Sequence, residues 1–479
     1  MKLIKKSIMK EYSYIINGVE RTSKEMVEVF NPANKELIGK YYASTIVDVD
    51  EAIENSKIVQ KSWSKLTQEE RDNYLLKIAD VLVENKAYLA ELITKEQGKP
   101  LSGPGSNFEI DACIGWTQVP ASLKLEDEVV FEDDSRKDVL QRKPIGVVAA
   151  ITPWNWPLMI AIWQIIPSIK MGNTVVVKPS EYTTIASLEM YRLINEVLPA
   201  GVINVVTGDG KIGAHITAHP SVAKIMFTGS ISTGKRIIEA SKNNMARLTL
   251  ECGGNDAGVV APKSDFNSLA EGLFWGSFLN MGQTCAALKR LYVHEDDLDN
   301  CVEALSNLTK NFKMGDGINE DVLLGPIQNK MQFDKVNALI EETSKNPNAK
   351  IIVPNPEVSK EGYFIPITFV TGVDNGDAIV DEEQFGTVLP IITYKNLDEA
   401  VAKANALDIG LGASVWGDDQ NLVEEIADKL EAGTVWMNQH GAIHPFVPFG
   451  GVKQSGYGVE FGIEGLKAVT VPKIMSYKK

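Results

Sequence analysis

PIGVVAAITPWNWPLMIAIWQIIPSI, residues 144–169, contains no charged side chain. A run of this length can span a bilayer. Pro153, Pro157 and Pro167, together with Asn155 and Gln164, argue against that, because proline interrupts a continuous helix. No companion spans accompany it, so no membrane is expected as a partner. The stretch reads instead as a buried strand (145–151), a turn (152–156) and a buried helix. The helix is expected to start at Pro157, whose fixed backbone angle suits a first helical position.

The same alternation continues outward. NTVVVK (173–178), VINVV (202–206), KIMFTG (224–229) and RLTLE (247–251) are short runs rich in Val, Ile or Leu. Helical segments separate them; in the one at 187–198, Leu188, Tyr191, Ile194 and Leu198 share a face. Such runs predict parallel strands covered on both sides. The fold class is therefore α/β, an open doubly wound sheet whose ligands bind at the carboxyl ends of its strands. The first 120 residues are expected to be mainly helical, with amphipathic spacing at 52–62 and 71–92. EVVFEDDSRKDVLQR (128–142) reads as two strands around a polar turn. A second alternating region is expected after Asp265, with strands at 288–294, 388–394, 412–417 and 433–438. The tail at 468–476 also reads as a strand. No repeat and no Pro/Gly/Ser-rich linker divides the chain, which predicts closely packed domains.

Composition removes several function classes. Among 479 residues, 48 Lys and Arg face 63 Asp and Glu, a net charge of −15. That is not the footprint of a nucleic-acid binder. Four cysteines without a CxxC spacing, and five histidines, give no disulfide framework and no metal-ligand cluster, and point to a reducing, cytoplasmic setting. The start, MKLIKKSIMKEY (1–12), is basic but no apolar run follows, so a secretory leader is not expected.

Five features could carry chemistry. GDGKIG (208–213) fits a pyrophosphate turn at a helix start, or a plain strand-to-helix turn. GSISTGK (229–235) joins a strand to a helix with hydroxyls and free N–H groups suited to phosphate, but it is not a P-loop, because Arg236 follows Lys235. Cys285 in NMGQTCAALKR is flanked by Gly, Gln and Thr, which suggests a turn with close backbone approach; Cys113 and Cys301 read as small buried hydrophobes. Glu251 ends a buried strand before two glycines, as a base or as a turn acceptor. Asn155 is an amide between two tryptophans, as a donor or as a satisfied turn residue.

Taken together these residues resemble the aldehyde dehydrogenase superfamily. Seven blocks carry the resemblance in order: PWNWPL (153–158), GNTVVVKPSE (172–181), FTGS (227–230), LECGGND (250–256), GQTC (282–285), EEQFG (382–386) and PFGGVKQSG (448–456). The family's spacing from base to nucleophile is 34 residues, and 285 − 251 = 34; its spacing from oxyanion asparagine to ribose lysine is 23, and 178 − 155 = 23. GVEFGIEGL (458–466) resembles a bacterial branch of the family.

The resemblance implies Cys285 as nucleophile, Glu251 as general base, and Asn155 with the Cys285 N–H as oxyanion donors. It implies a non-acylating enzyme that oxidises an aldehyde to its acid through a cysteine thioester. NAD is expected as cofactor, because Glu181 would repel a 2′-phosphate, with NADP as the alternative. Lys178, Ser180 and Glu181 would hold the adenosine ribose, Gly208 would lie near the adenine, and Gly229 and Ser230 would meet the pyrophosphate. Trp154 would lie nearby on the cofactor side, Glu383 would hold the nicotinamide ribose and Phe385 would back the ring. Trp156, Ile160, Trp163, Ile443, His444 and Phe449 would line the aldehyde tunnel. With no arginine among these six, medium-chain aliphatic or aromatic aldehydes are expected over carboxylate-bearing ones. The implied domains are a Rossmann-like cofactor domain (1–125 and 145–252), an α/β catalytic domain (253–454) and a small β element for oligomerisation (126–144 and 465–479), giving a homodimer or homotetramer.

Three departures from the family pattern stand out. Cys252 follows the base where leucine is common, Thr387 replaces a proline and is expected to loosen the loop of Glu383, and Val459 replaces an arginine. Coenzyme A-acylating and phosphate-reducing relatives commonly lack the base, so Glu251 argues against both. An inactive structural relative is disfavoured by retention of the whole set.

Overall fold

The decisive run at 144–169 folds as a strand at Val147–Ile151 and a helix at Pro157–Lys170 in the computed structural model, which describes residues 10–479. Residues 1–9, which hold most of the basic start, lie outside the described residues. All 14 residues of the helix are buried, which is why its sequence lacks a polar face. It packs between the first sheet and the helices Gln68–Glu84 and Ser106–Ser122. Trp156, at its N-cap, offers no capping side chain. Glu109 does that work from Ser106–Ser122, accepting the N–H groups of Leu158 at 2.9 Å and Met159 at 3.1 Å. Among the described residues no helix is long and apolar enough to cross a membrane.

The first sheet has eight strands in the order Gly456–Tyr457, Arg247–Cys252, Val222–Gly229, Val147–Ile151, Thr174–Lys178, Ile203–Val205, Tyr14–Ile16 and Val19–Arg21. Its five central strands are parallel. The chain moves outward from Val147–Ile151 in one direction and then returns to its other side with Val222–Gly229. The carboxyl ends of these two strands therefore flank a topological switch point.

The second sheet runs Lys350–Ile352, Thr368–Thr371, Val388–Tyr394, Leu288–His294, Asp256–Val260, Gly412–Trp416 and Thr434–Met437. Asp256–Val260 begins four residues after the first sheet's Arg247–Cys252 ends. Carboxyl ends of the first sheet thus meet amino ends of the second, and the peptide at 253–255 is the seam.

Several expectations need correction. Helices fill most of the described residues up to 120, as expected, but strands that were not expected also occupy Glu11–Tyr12, Tyr14–Ile16, Val19–Arg21, Met26–Phe30 and Leu37–Tyr42. They are short and carry charges such as Glu20, Arg21 and Lys40, so their period is hard to read. The second alternating region starts at Asp256, before Asp265. The helical stretch at 71–92 is two helices, Gln68–Glu84 and Lys86–Gln97, broken at Asn85. The tail strand, Thr470–Lys478, finds its partner within the chain, running antiparallel to Arg136–Pro144 from Thr470↔Pro144 to Lys478↔Arg136. Glu128–Glu132 completes that small sheet, which leaves Val129, Val130, Phe131, Ile474 and Tyr477 exposed.

Candidate active site

The helix Phe266–Phe278 runs into the turn Leu279–Gly282, where Asn280 and Met281 hold φ of 51° and 57° and Gly282 holds +71°. Left-handed backbone is costly for the first two and persists only when its surroundings fix it. Gly282 is forced by space as well: a Cβ there would lie 2.1 Å from Lys289 Nζ and 2.2 Å from the Gly386 carbonyl oxygen. This is the turn with close backbone approach expected ahead of Cys285.

Asn155 and Trp156 grip the two residues before Cys285. Asn155 Nδ2 donates to the Gln283 carbonyl at 3.0 Å, and Trp156 Nε1 donates to Thr284 Oγ1 at 3.0 Å. The Asn155 carbonyl in turn accepts from Lys99 Nζ and from Asn280 Nδ2, each at 2.8 Å. Lys99 is fully buried, pairs with Glu109 at 2.6 Å and lies 3.5 Å from the Trp156 ring centroid. One N–H of the Asn155 amide is thus committed to Gln283, which leaves the other to serve as a donor.

Cys285 is, among the described residues, the one residue common to two cavities. The first encloses about 470 Å³ and is mostly apolar. Trp156, Ile160, Trp163, Ile443 and Phe449 line it as expected, joined by Phe108, Asp111, Trp116, Trp275 and His440. His444 does not line it. That residue is exposed and stacks on Phe446, because the chain turns outward after Ile443. The histidine at the wall is His440, four residues earlier, with Nδ1 2.9 Å from Ser414 Oγ and Nε2 3.4 Å from Asp256 Oδ2.

The second cavity, about 230 Å³, is lined by Trp154, Asn155, Gly229, Ser230, Glu251, Cys252, Glu383 and Phe385, with Gln332 and Lys335. Ser230 caps the helix Ile231–Ser241, whose free N–H groups favour an anion. Glu383 Oε1 is buried without a partner, and burial pushes that carboxyl up to about 7. Trp154 and Phe385 meet edge to face at 5.3 Å. Lys178, Ser180, Glu181 and Gly208 lie outside this cavity, at the ends of the neighbouring strands. Lys178 Nζ is 3.5 Å from Glu181 Oε2, and its stem lies 3.6 Å from where a Cβ on Gly213 would stand. GDGKIG therefore packs against Lys178 instead of facing the central cleft.

Two carboxyls, Glu251 and Glu383, and one lysine, Lys335, line the second cavity. Both oxygens of Glu251 are buried without a hydrogen-bond partner, as are both oxygens of Glu460, a residue that sequence reasoning missed. Burial, and then the Glu460 charge, hold the Glu251 carboxyl well above the usual range. Glu460 is pushed up to about 7 by burial, opposed by Lys224. The Cys285 thiol is raised by burial and by Glu251, Asp256 and Glu383, while the Ala286 N–H favours its charged form. The thiolate would therefore be favoured by any positive charge brought into the cleft.

Cys252 does not face Cys285. Its side chain belongs to the core on the opposite side of the first sheet, where a Cβ on Gly234 would come within 3.0 Å of its sulfur. Cys113 and Cys301 are fully buried in apolar surroundings, as read. Thr387 does not loosen its loop: it is buried, its hydroxyl donates to the Ile365 carbonyl at 3.0 Å, and its carbonyl accepts from Thr368 N–H at 2.9 Å.

Comparison with known proteins agrees with this arrangement. Residues 19–475 match the aldehyde dehydrogenase family. An aminoaldehyde dehydrogenase of Arabidopsis thaliana is 37% identical over 458 residues, covering 92% of this chain and 91% of that protein. Retinaldehyde dehydrogenase 3 of Rattus norvegicus is 36% identical, covering 94% and 89%. The NAD+ complex of an aldehyde dehydrogenase from Bacillus cereus superposes with a TM-score of 0.94 at 31% identity, covering 98% of this chain and 97% of that one. With a match across nearly its whole length and a shared α/β architecture, the chain belongs to the aldehyde dehydrogenase family.

Proposed function

We propose that this chain oxidises an aldehyde to its carboxylic acid through a thioester on Cys285, with NAD as its cofactor. The observation that carries the reading is that Cys285 joins an apolar cavity to a polar cleft. The cleft's polar groups fit a dinucleotide: a buried, unpartnered Glu383 oxygen is free to accept from a hydroxyl, and a capped helix start at Ser230 closes one side. Trp154, Gly229, Ser230, Glu383 and Phe385 would hold the nicotinamide half, and Lys178, Ser180, Glu181 and Gly208 the adenosine half. Bound there, NAD supplies a cationic ring that accepts a hydride.

Cys285 Sγ attacks the carbonyl carbon of the aldehyde. Negative charge that develops on oxygen is met by the free N–H of Asn155 and the Cys285 main-chain N–H. Once the carbon has lost its hydride, a thioester remains on Cys285. Glu251 takes a proton from water, the resulting hydroxide attacks the thioester carbon, and the C–S bond breaks to release the acid. The unpartnered oxygens of Glu251 suit a base that must accept a proton from water. Glu181 favours NAD; NADP is the alternative.

Medium-chain aliphatic or aromatic aldehydes are the proposed substrates. Each methylene buried in the first cavity gains about 0.8 kcal/mol. Asp111 is the one charged side chain among its lining residues and is itself paired with Lys86, so a substrate carboxylate would meet no free cation in the wall. A second reading, a cationic aldehyde, draws on the same Asp111 and on the aminoaldehyde-oxidising relative. Lys86, at 2.6 Å, already neutralises that carboxylate, which weakens it.

The exposed apolar residues of the small sheet, with its free outer edges, support a dimer or a dimer of dimers. A monodisperse monomer by light scattering would contradict that assembly.

The test of function is a panel of aliphatic, aromatic, carboxylated and amino aldehydes, assayed for reduced cofactor with NAD and NADP, with and without coenzyme A. Acid formation without coenzyme A is expected. No turnover with any member, or strict dependence on coenzyme A, would overturn the reading.

A further inference from the structure

Lys289 is a buried lysine that the chemistry above does not use, its amine lowered to about 7 by burial. It is the second residue of the strand Leu288–His294, and only 1% of it is exposed. Pairing with the adjacent strand steps from Asp256↔Leu288 to Ala257↔Arg290, so Lys289 has no opposite residue. An extra residue of this kind re-aims its side chain, a device common beside active sites.

The hydrogen bonds of its side chain go to main-chain carbonyls, and its nitrogen lies 5.4 Å from the Phe278 ring centroid. Nζ donates to Ser277 at 2.9 Å and to Gly386 at 2.7 Å, with Val388 farther at 3.5 Å. A lysine ammonium has three N–H donors, and three carbonyls receive them. Ser277 lies in the last turn of Phe266–Phe278, where carbonyls lack helical partners and a positive charge is favoured. Gly386 directly follows Phe385, whose φ of 50° is left-handed for a residue with a large side chain. Gly282 closes over the nitrogen from the third side.

Each carbonyl of the loop before it is also held. Lys335 donates to Glu383 at 2.6 Å, and Gln332 Nε2 donates to Gln384 at 2.7 Å and Phe385 at 3.1 Å. Gln332 and Lys335 come from one helix, Lys330–Thr343. Lys289 differs in that it binds the loop to the nucleophile's own turn.

We propose that Lys289 is a positioning residue that clamps the turn ahead of Cys285 to the loop carrying Glu383 and Phe385, fixing the nucleophile in register with the nicotinamide end of the cleft. The proposal rests on the two-cavity reading above. Lys289 is not among the residues that line either cavity, so its effect passes through the two segments it joins.

The test is Lys289→Met, which keeps length and apolar volume but removes the donors. In cofactor-free protein, amide hydrogen exchange should quicken at 280–283 and 383–388 together, and not in the first sheet. In steady state, kcat should fall about tenfold or more and the KM for NAD should rise, with the aldehyde KM within about twofold. A carbonyl-deuterated aldehyde should then show an isotope effect larger than in the parent protein. If Lys289→Met does not fold, Gly282→Ala keeps the lysine but displaces it from Gly386, and the same pattern is expected. The proposal is overturned if exchange in the two segments is unchanged, if kcat and the NAD KM stay within about twofold, or if aldehyde and NAD parameters decline equally. A parent protein inactive towards every aldehyde would instead count against the function; the exchange measurement still decides the clamp.

Discussion

The side-chain amide of Asn155 donates to the carbonyl of Gln283 at 3.0 Å, joining positions 128 residues apart. Through it the turn after the first sheet's Val147–Ile151 is tied to the turn that presents Cys285 from the second sheet. The bond also aims the amide: with one N–H spent on Gln283, the other has few directions left.

Asn155→Ala should therefore lose both an anchor and a donor. We expect kcat to fall by about 10²–10³, equivalent to about 3–4 kcal/mol of lost transition-state stabilisation. Alkylation of Cys285 by iodoacetamide should persist. A loss in kcat below about fivefold would remove Asn155 from the oxyanion role.

Cys252→Ser should be nearly silent in kcat, because the sulfur faces Gly234 across the sheet from Cys285. Cys285→Ala should abolish aldehyde oxidation while retaining cofactor binding by fluorescence titration. Equal loss in both variants would contradict the assignment of a single nucleophile.

Glu460→Gln tests the electrostatics of the base. The Glu460 charge raises the Glu251 carboxyl, so its removal should let Glu251 ionise at lower pH. A base acts in its charged form, and the acidic limb of the kcat–pH profile should move to lower pH. Displacement to higher pH, or no displacement, would mean that Glu251 does not set that limb.

Substrate preference follows from the lining of the first cavity. The kcat/KM for hexanal or benzaldehyde should exceed that for succinate semialdehyde, whose carboxylate would find no free cation among the lining residues. Asp111→Asn should narrow the gap. A ratio below one would place a cation in the tunnel from a segment not counted in its wall.

Much of this was legible in the sequence where burial on both faces made strands into plain apolar runs. LKRLYVH and VLPIITY match the strands Leu288–His294 and Val388–Tyr394 residue for residue. The helix at Pro157 was legible for the same reason. Asp256–Val260 escaped because DAGVV is short and opens on an acid, and the early strands escaped because their charges and Gly18 break the period. Cys285 and Glu251 stood out by their spacing to one another, and Asn155 by its spacing to Lys178, each matching the family that the chain resembles. His440, Glu460 and Lys289 did not, because each matters through partners distant in the chain: Asp256, Glu251 and Gly386. The resemblance implies His444, whereas His440 lines the cavity; a loop offers no period from which to tell an inward side chain from an outward one.

Single-turnover analysis of Glu251→Gln tests the central claim most directly. With NAD and a good aldehyde, this variant should release one equivalent of reduced cofactor per active site in a burst and then stall. Intact-mass analysis of the stalled protein should find the acyl group on Cys285. Undiminished steady-state turnover, or a burst with no acyl group on Cys285, would contradict a thioester formed there and hydrolysed by Glu251.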